Sequence, residues 1–316
     1  MKFWQQLLSK LKDKQTVYLL TVVENIGSSP GRKGFRMFVA ENHFIFGSIG
    51  GGVMEHTLVE DVKSLLAANK LSIFLKRQVH RGNKQDGSGM ICSGEQTIVF
   101  HPLSSSNIPT VESILTALQT NVSGTLSLTP TAFSFNNEVV NNAFNYKYTS
   151  NEDWMYKEHI GYKNALYIVG GGHVGVAVSE LFNKLGFYVL VFDNRNELNT
   201  FKTNATAHHK QIVDYNDIAN FVAEGVNSYV VIMTNKYTED KLILSKLLNK
   251  NFKYIGVLGS KAKIKTMRKE ILKDGFSAKA LNEVYAPIGL PIKSQTPEEI
   301  AVSIAAQVIQ IKNESA

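Results

Sequence analysis

The sequence predicts an α/β protein in two parts, and the clearest signal lies in the second part. An apolar strand pattern runs into the glycine-rich stretch 170–175, and a helix-length segment then leads to a second strand that ends at Asp193. Strand, glycine turn, helix and strand in this order are typical of a Rossmann unit. Short β-branched runs separated by glycine, proline and asparagine dominate the first part. We therefore predict an N-terminal α+β domain followed by a Rossmann-like domain with a mainly parallel sheet.

Length and composition agree with two globular domains. A chain of 316 residues exceeds the usual size of one domain, and we expect boundaries at 1–145, with a connecting segment to about 160, and 161–316. The single cysteine excludes an internal disulfide and a multi-cysteine metal cluster, and no apolar run approaches the length of a membrane span. We expect a cytoplasmic protein without membrane insertion.

The charge balance bears on the partners. A formal net charge of +7 and a pI near 9.2 favour anionic ligands or an acidic partner, or simply a solubilising surface. The lysines are scattered and no arginine-rich tract occurs, so we expect no nucleic acid. A homodimer is an open alternative that no sequence feature demonstrates.

The first domain begins with a short amphipathic helix and continues mainly as strands. The turn cluster 27–31 follows the first strand, and the glycine run 47–52 leads into a helix. Alternating or β-branched patterns predict strands at 16–24, 35–40, 44–46, 72–79 and 95–100, and apolar periodicity predicts helices at 53–68 and 109–118.

The second domain repeats strand and helix. After the opening unit we predict strands at 228–233 and 254–258, a helix at 239–248, and a lysine-rich helix after residue 261. The last helix opens at Thr296 with proline in its first turn and Glu299 completing a capping box.

The glycine turn of the second domain has a role for each residue. Gly170 makes the tight turn, Gly172 admits a phosphate against bare backbone, and Gly175 lets helix and strand pack closely. Asp193 is placed to accept hydrogen bonds from ribose hydroxyls, and His173 lies where it could contact phosphate. The alternative is a purely architectural turn.

Two further strand ends border the same predicted crevice. Thr234 and Asn235 follow one strand, and Ser260 and Lys261 follow the next. In open parallel sheets, ligands bind beyond the carboxyl ends of the strands. Lys261 could pair with phosphate, or it is one more solvated lysine in a segment that also contains Lys263, Lys265 and Lys269.

Taken together, several separated segments resemble the XdhC/CoxI family, accessory proteins that mature molybdenum hydroxylases such as xanthine dehydrogenase. The segments occur in the family's order at 27–37, 47–56, 89–94, 170–175, 233–235, 255–261, 288–290 and 296–301. Two positions depart from the common pattern: Ser93 follows the cysteine where a glycine is usual, and Gly171 stands where alanine is frequent.

The resemblance implies an accessory chaperone. Such a protein binds the molybdenum cofactor (molybdopterin), protects it and delivers it to an apo molybdenum hydroxylase. Handling of the cofactor includes exchange with a cysteine desulfurase in this picture. The resemblance implies no defined turnover, so we assign no catalytic residues.

Candidate cofactor contacts also lie in the first domain, and each has an ordinary structural alternative. Gly50, Gly51 and Gly52 precede a helix and could cradle an anion, while Glu55 could bind the amino-pyrimidine edge of a pterin; close packing and a favourable helix N-terminal charge are the alternatives. Cys92 is the one thiolate available as a molybdenum ligand, or it is a small buried residue.

Other polar residues of the first domain carry weaker hypotheses. His56 alone is more often a satisfied surface or core histidine than a ligand. Arg32, Lys33 and Arg36 could meet an anionic cofactor or partner, although a solvated face is the commoner explanation.

Two other functions stay open. The glycine fingerprint taken alone favours an NAD(P)-dependent oxidoreductase, with NAD(P) or another nucleotide at the turn. No convincing acid–base pair for hydride chemistry accompanies it. The third alternative is a nucleotide-binding scaffold without chemistry.

Overall fold

The computed structural model describes residues 1–80, 94–139 and 142–314. The chain divides into two compact units, Met1–Gly161 and Tyr162–Ala316. The first unit is α+β and the second contains a parallel sheet, so the predicted fold class is confirmed.

The first unit contains two antiparallel sheets in the part of the chain described here. Its helices are α1 (Lys2–Lys12), α2 (Gly52–Ala67) and α3 (Ile108–Gln119). Its strands are β1 (Val17–Gly27), β2 (Arg36–Ala40), β3 (Ile45–Ser48), β4 (Phe74–His80), β5 (Gly94–Leu103), β6 (Gly124–Leu128), β7 (Phe133–Asn136), β8 (Phe144–Ser150) and β9 (Asp153–Ile160). The strand orders of the two sheets are β3-β2-β1-β5-β4 and β7-β6-β9-β8. The seven strand and helix segments predicted between residues 16 and 118 all occur.

Helix α2 packs on one face of the first sheet. Apolar residues of β1, β2 and β5 alternate towards this helix, with Leu20, Met37 and Phe100 in the same buried cluster as Leu58 and Val62. Alternation in the strands and the three-to-four residue spacing in the helix bury one side of each element. This packing places the glycine run before α2 at one end of the sheet.

The expected connecting segment at 145–160 is wrong, because these residues form most of the hairpin β8–β9 of the first unit. Along β9 the buried side chains alternate, and they include Trp154, Tyr156 and Ile160. The buried positions also include Glu158, whereas Lys157 and His159 between them are only partly buried. The number of hydrophilic residues made the segment look like a linker, although the period of two was present in the sequence.

The second unit contains a five-stranded parallel sheet. Its strands are β10 (Ala165–Val169), β11 (Tyr188–Asp193), β12 (His209–Ile212), β13 (Gly225–Ile232) and β14 (Phe252–Val257), in the spatial order β12-β11-β10-β13-β14. Its helices are α4 (His173–Lys184), α5 (Asn199–Thr203), α6 (Tyr237–Leu247), α7 (Lys261–Lys273), α8 (Ala278–Asn282) and α9 (Pro297–Asn313). The order reverses at β10, so the crevice of a doubly wound sheet lies between the ends of β10 and β13.

Helices cover both faces of this sheet. Helices α4 and α9 pack with one buried cluster, and α6 and α7 pack with the other. The predicted capping box of the last helix is confirmed: Thr296 accepts from Glu299 N–H, and the Glu299 carboxylate accepts from Thr296 N–H. In the described ranges, no helix combines the length and the apolar character needed to cross a bilayer.

Candidate functional site

The glycine turn of the second unit lies at the carboxyl ends of the central strands. Gly170 N–H donates to Phe192 O at 2.8 Å, and Met233 N–H donates to Val169 O at 2.9 Å. These bonds hold the ends of β10, β11 and β13 together. A Cβ added to Gly170 would lie 2.5 Å from Met233 O, and one added to Gly175 would lie 2.3 Å from Gly170 O. The predicted tight turn and close helix packing are therefore confirmed.

Gly172 differs from its neighbours because the protein itself does not require glycine there. Its φ of −71° suits any residue, and among the described residues no atom beyond its chain neighbours and the adjoining helix backbone lies within 4 Å of an added Cβ. No side chain in the described residues caps the N-terminus of α4, and His173 is exposed beside it. Open space next to uncapped N–H groups is what a phosphate needs. Binding at Gly172 and His173 stays a prediction.

Both carboxylate oxygens of Asp193 accept hydrogen bonds from neighbouring parts of the same chain. Asp193 is fully buried; Oδ2 accepts from Gly171 N–H at 2.7 Å and from Arg195 Nη2 at 2.8 Å, and Oδ1 accepts from the main chain and Nε of Arg195. Burial alone would raise the pKa of Asp193, but the bonds from Arg195 and Gly171 outweigh it and hold the pKa below its usual value. A ribose hydroxyl could reach this carboxylate only after Arg195 moved.

The end of β13 carries a buried polar cluster that the sequence analysis missed. Thr234 N–H and Oγ1–H both donate to Asp240 Oδ1, at 2.9 and 2.7 Å, and Lys263 Nζ donates to Asp240 Oδ2. Asp240 is fully buried, so Lys263 is not the solvated lysine we expected. Four lysines of this segment, at 261, 265, 269 and 273, recur every four residues, and Lys263 does not share that spacing. This difference was the one signal in the sequence that could have set Lys263 apart.

The remaining strand-end residues have separate positions. Asn235 is exposed after β13, and Ser260 is exposed at the start of α7, where its Oγ accepts from Lys263 N–H at 3.2 Å. Ser260 therefore caps a helix, a role that leaves its hydroxyl hydrogen available to a ligand. Both residues lie at the carboxyl edge of the sheet, as predicted, and their ligand contacts stay predictions.

The glycine run of the first unit is held by Glu55. Glu55 Oε2 accepts from Ser48 Oγ at 2.7 Å, Ile49 N–H at 2.8 Å and Gly51 N–H at 2.9 Å. Three donors on one oxygen fix the conformation of the loop, while Oε1 makes no hydrogen bond to the described residues. Glu55 is thus an organiser of the loop, with one oxygen left to meet a ligand.

The three consecutive glycines of this loop all have positive φ angles. These are 138° at Gly50, 76° at Gly51 and 74° at Gly52, which side chains rarely tolerate. Gly52, Glu55 and His56 line one concave surface of about 280 Å³ beside α2, together with Met37 and Ile45. His56 is exposed in this groove, and in the described residues no group of three His, Asp, Glu or Cys residues is arranged to hold a metal.

Three separated segments of the first unit meet at this end of the sheet. A Cβ added to Gly50 would lie 2.8 Å from Gly31 N, and one added to Gly94 would lie 2.5 Å from Ser29 N. Gly31 N–H also donates to Gln96 Oε1 at 3.0 Å. The turn at 27–31, the glycine loop at 47–52 and the start of β5 are thus in contact. Cys92 lies outside the described residues.

Arg36 is neither a solvated cation nor a ligand group. Its guanidinium pairs with Glu158, and the two side chains are only 12% and 9% exposed. Tyr156 Oη–H donates to the same carboxylate at 3.0 Å, and the Trp4 ring lies 4.9 Å from the guanidinium carbon. Arg36 therefore joins β2 to β9, whereas Arg32 and Lys33 are exposed as expected.

The class of protein follows from the two units: it is a two-unit α/β protein in which an antiparallel α+β unit with a glycine loop is followed by a Rossmann-type unit with a glycine turn. Residues 166–308 match the XdhC Rossmann domain, and residues 11–75 match the XdhC and CoxI family. The chain belongs to the XdhC/CoxI family, as the sequence motifs indicated.

Two curated relatives extend beyond this chain. It is 23% identical over 309 residues to the uncharacterized protein YqeB of Escherichia coli (strain K12), covering 96% of this chain and 45% of that protein. It is 30% identical over 159 residues to a Bacillus subtilis (strain 168) protein described as a probable xanthine dehydrogenase subunit, covering 50% of this chain and 46% of that one. The chain thus spans about half the length of these relatives.

A solved structure has the same fold. The chain matches a Bacillus halodurans protein whose crystal structure is described as that of a xanthine dehydrogenase, with a TM-score of 0.72 and 24% identity. The match covers 99% of this chain and 96% of that one.

Proposed function

We propose that this protein is a maturation factor that binds the molybdenum cofactor, protects it and delivers it to a xanthine dehydrogenase-type molybdenum hydroxylase. One observation carries the proposal: the separated motif segments of the first unit meet at one end of its sheet, around a loop that Glu55 holds open. Family membership and the relative described as a probable xanthine dehydrogenase subunit support the choice of cargo and client.

The residues present suit an anionic, pterin-bearing cargo. Bare backbone at Gly51 and Gly172 leaves room for phosphate, since an added Cβ at either position meets no atom of a non-neighbouring described residue within 4 Å. Glu55 Oε1 is an acceptor suited to the paired N–H donors of an amino-pyrimidine edge. Cys92 supplies the soft thiolate for molybdenum in this proposal. The chain's own work would be to desolvate and shield the cargo.

The NAD(P)-dependent alternative is weaker because of Asp193. A dinucleotide site uses the acidic residue at the end of its second strand to bind ribose hydroxyls. Here both carboxylate oxygens of Asp193 already accept hydrogen bonds from Gly171 and Arg195. The backbone at Gly172 is therefore open to a phosphate, whereas the carboxylate that would bind the ribose hydroxyls is already occupied. This combination favours a phosphate group over a whole dinucleotide as the ligand.

Anaerobic titration of the purified apo-protein with molybdenum cofactor tests the proposal. We expect about one molybdenum per chain by elemental analysis, a Cys92→Ala variant that folds normally but retains less metal, and a Cys92→Ser control that shows the same loss. No retention by the wild-type protein would overturn the proposal.

A parallel titration addresses the alternatives. Quenching of NADH fluorescence with turnover of a hydroxy or aldehyde substrate would establish the oxidoreductase. Binding of a nucleotide alone, unaffected by Cys92→Ala, would instead indicate the scaffold.

A further inference from the structure

Helix α7 presents a row of lysines on one face. Lys261, Lys265, Lys269 and Lys273 follow each other at four-residue spacing, which places them on neighbouring turns of the same side. All four are exposed. We name this set the lysine stripe; from its first to its last residue it extends about 18 Å along the helix axis.

Every other charged group of α7 is directed away from the stripe. Lys263 pairs with Asp240, and Arg268 donates to Leu281 O and Asn282 Oδ1. The acidic residues at the end of the helix, Glu270 and Asp274, both bind Lys241 of α6, at 3.1 and 2.9 Å. Within the described ranges no ion pair reaches any lysine of the stripe.

Helix stability does not account for this arrangement. Like charges at i,i+4 repel, and the stripe contains three such pairs in succession. Its first members also lie near the positive end of the helix, where α7 has no acidic residue, whereas α9 has Glu298 and Glu299 in its first turn. Lys273 in the last turn is favourable at the negative end of the helix, but the repulsion along the rest of the stripe would be relieved by a negative surface placed against it.

The position of the stripe connects it to the candidate crevice. Ser260, at the start of α7, follows the carboxyl end of β14, and Leu258 N–H donates to Ile232 O at the end of β13. The stripe thus begins at the edge that carries the glycine turn and runs away from it. We infer that the lysine stripe is a docking surface for an acidic face of the client protein; this inference rests on the function proposed above.

A protein surface fits the stripe better than membrane insertion or the stacking of single-stranded bases. The apolar side of α7, with Ile264, Met267 and Ile271, is buried in the core and cannot enter a bilayer. The exposed side offers lysines without an aromatic side chain on which bases could stack. Carboxylates on a folded partner complement such a row and make association salt-dependent.

The test uses the full chain and an apo molybdenum hydroxylase of the xanthine dehydrogenase type. The variant carries Lys265→Gln, Lys269→Gln and Lys273→Gln, and leaves Lys261 beside the crevice intact. A matched control carries Lys70→Gln, Lys147→Gln and Lys184→Gln, which removes the same charge from exposed lysines elsewhere. Dissociation constants are measured at low and high salt, with duplex DNA and phosphatidylserine vesicles as parallel probes.

We expect the wild-type chain to bind the hydroxylase in a salt-sensitive manner. The stripe variant should bind about tenfold more weakly or worse, the control within about twofold, and a Lys→Arg version of the stripe close to wild type. Molybdenum retention should be the same in all four proteins. Lys265→Glu should weaken docking while raising the thermal unfolding temperature, so that unfolding cannot explain the loss.

Three results would overturn the docking surface: no complex with the wild-type chain, equal binding by the stripe variant, or tighter stripe-dependent binding to DNA or vesicles than to the hydroxylase. The proposed function fails separately. A wild-type chain that docks through the stripe but retains no molybdenum would overturn the cofactor role and leave the docking surface in place.

Discussion

The two glycine loops are both held by a carboxylate, yet the two carboxylates differ in what they leave free. Asp193 is fully buried and uses both oxygens within its own chain. Glu55 is partly exposed and uses one oxygen three times, leaving the other without a hydrogen bond to the described residues. A carboxylate beside a glycine loop can therefore have a purely structural role, or it can hold the loop with one oxygen and keep the other available to a ligand.

The glycines of the two loops differ in what the backbone requires of them. In the first unit the loop glycines are required by the backbone, because Gly50, Gly51 and Gly52 all have positive φ. In the second unit Gly172 has an ordinary φ and open space around an added Cβ. The open contacts are thus the Glu55 carboxylate and the bare backbone of Gly51 in the first unit, and bare backbone at Gly172 in the second.

The largest expected effect is at Asp193. Asp193→Asn should lower the free energy of unfolding by about 2–3 kcal/mol, because the fully buried carboxylate loses its charge and one of its two acceptor oxygens beside the partly exposed Arg195. Since the folded pKa of Asp193 is lowered, its contribution is present above the ordinary pKa and is lost as pH falls through the folded value. The stability of wild type should therefore fall more steeply below about pH 4 than that of the variant.

Urea unfolding at neutral and acidic pH measures both quantities. An unchanged stability in Asp193→Asn would mean that the carboxylate is not the scaffold described here and would reopen its role at a ribose.

A smaller loss is expected at Glu55. Glu55→Ala removes the acceptor of three hydrogen bonds at a partly exposed site and should cost about 1–2 kcal/mol. Glu55→Gln retains an acceptor oxygen and should restore most of the stability. Comparing the cofactor affinity of the two variants sharpens the contrast: if Glu55→Gln is stable but retains the cofactor as well as wild type, Glu55 is scaffold alone, like Asp193.

The smallest effect on stability is expected at Gly172. Gly172→Val should lower the free energy of unfolding by less than about 1 kcal/mol, because an added Cβ there meets no non-neighbouring atom of the described residues within 4 Å. Its affinity for inorganic pyrophosphate and for the cofactor should nevertheless fall, since a phosphate would need the same space.

Gly171→Ala is the matched control, because its Cβ would lie 2.7 Å from Phe201 Cδ2 and strain the packing instead. It should lose stability without a specific loss of anion binding. Unaltered anion affinity in Gly172→Val would show that the turn is architectural.

Local patterns in the sequence predicted much of the molecule. Alternation, glycine turns and the capping box at Thr296 depend on near neighbours, and these features were predicted correctly. The hairpin β8–β9 was missed because exposed polar residues obscured an alternation that burial later made plain. The candidate glycines were placed correctly at strand ends, because strand order along the chain determines which ends share an edge.

The sequence by itself determined most of the elements, the family and the edges at which the candidate residues lie, since these follow from periodicity and from residues close together in the chain. Only the tertiary structure decided which side chains are already committed. Asp193 pairs with Arg195, Asp240 with Lys263 and Arg36 with Glu158, while the stripe on α7 has no ion-pair partner among the described residues. The physical reason is that an ionised group inside a protein needs a partner, and that partner, whether two residues away or more than a hundred, is chosen by the folded geometry rather than by the residue type.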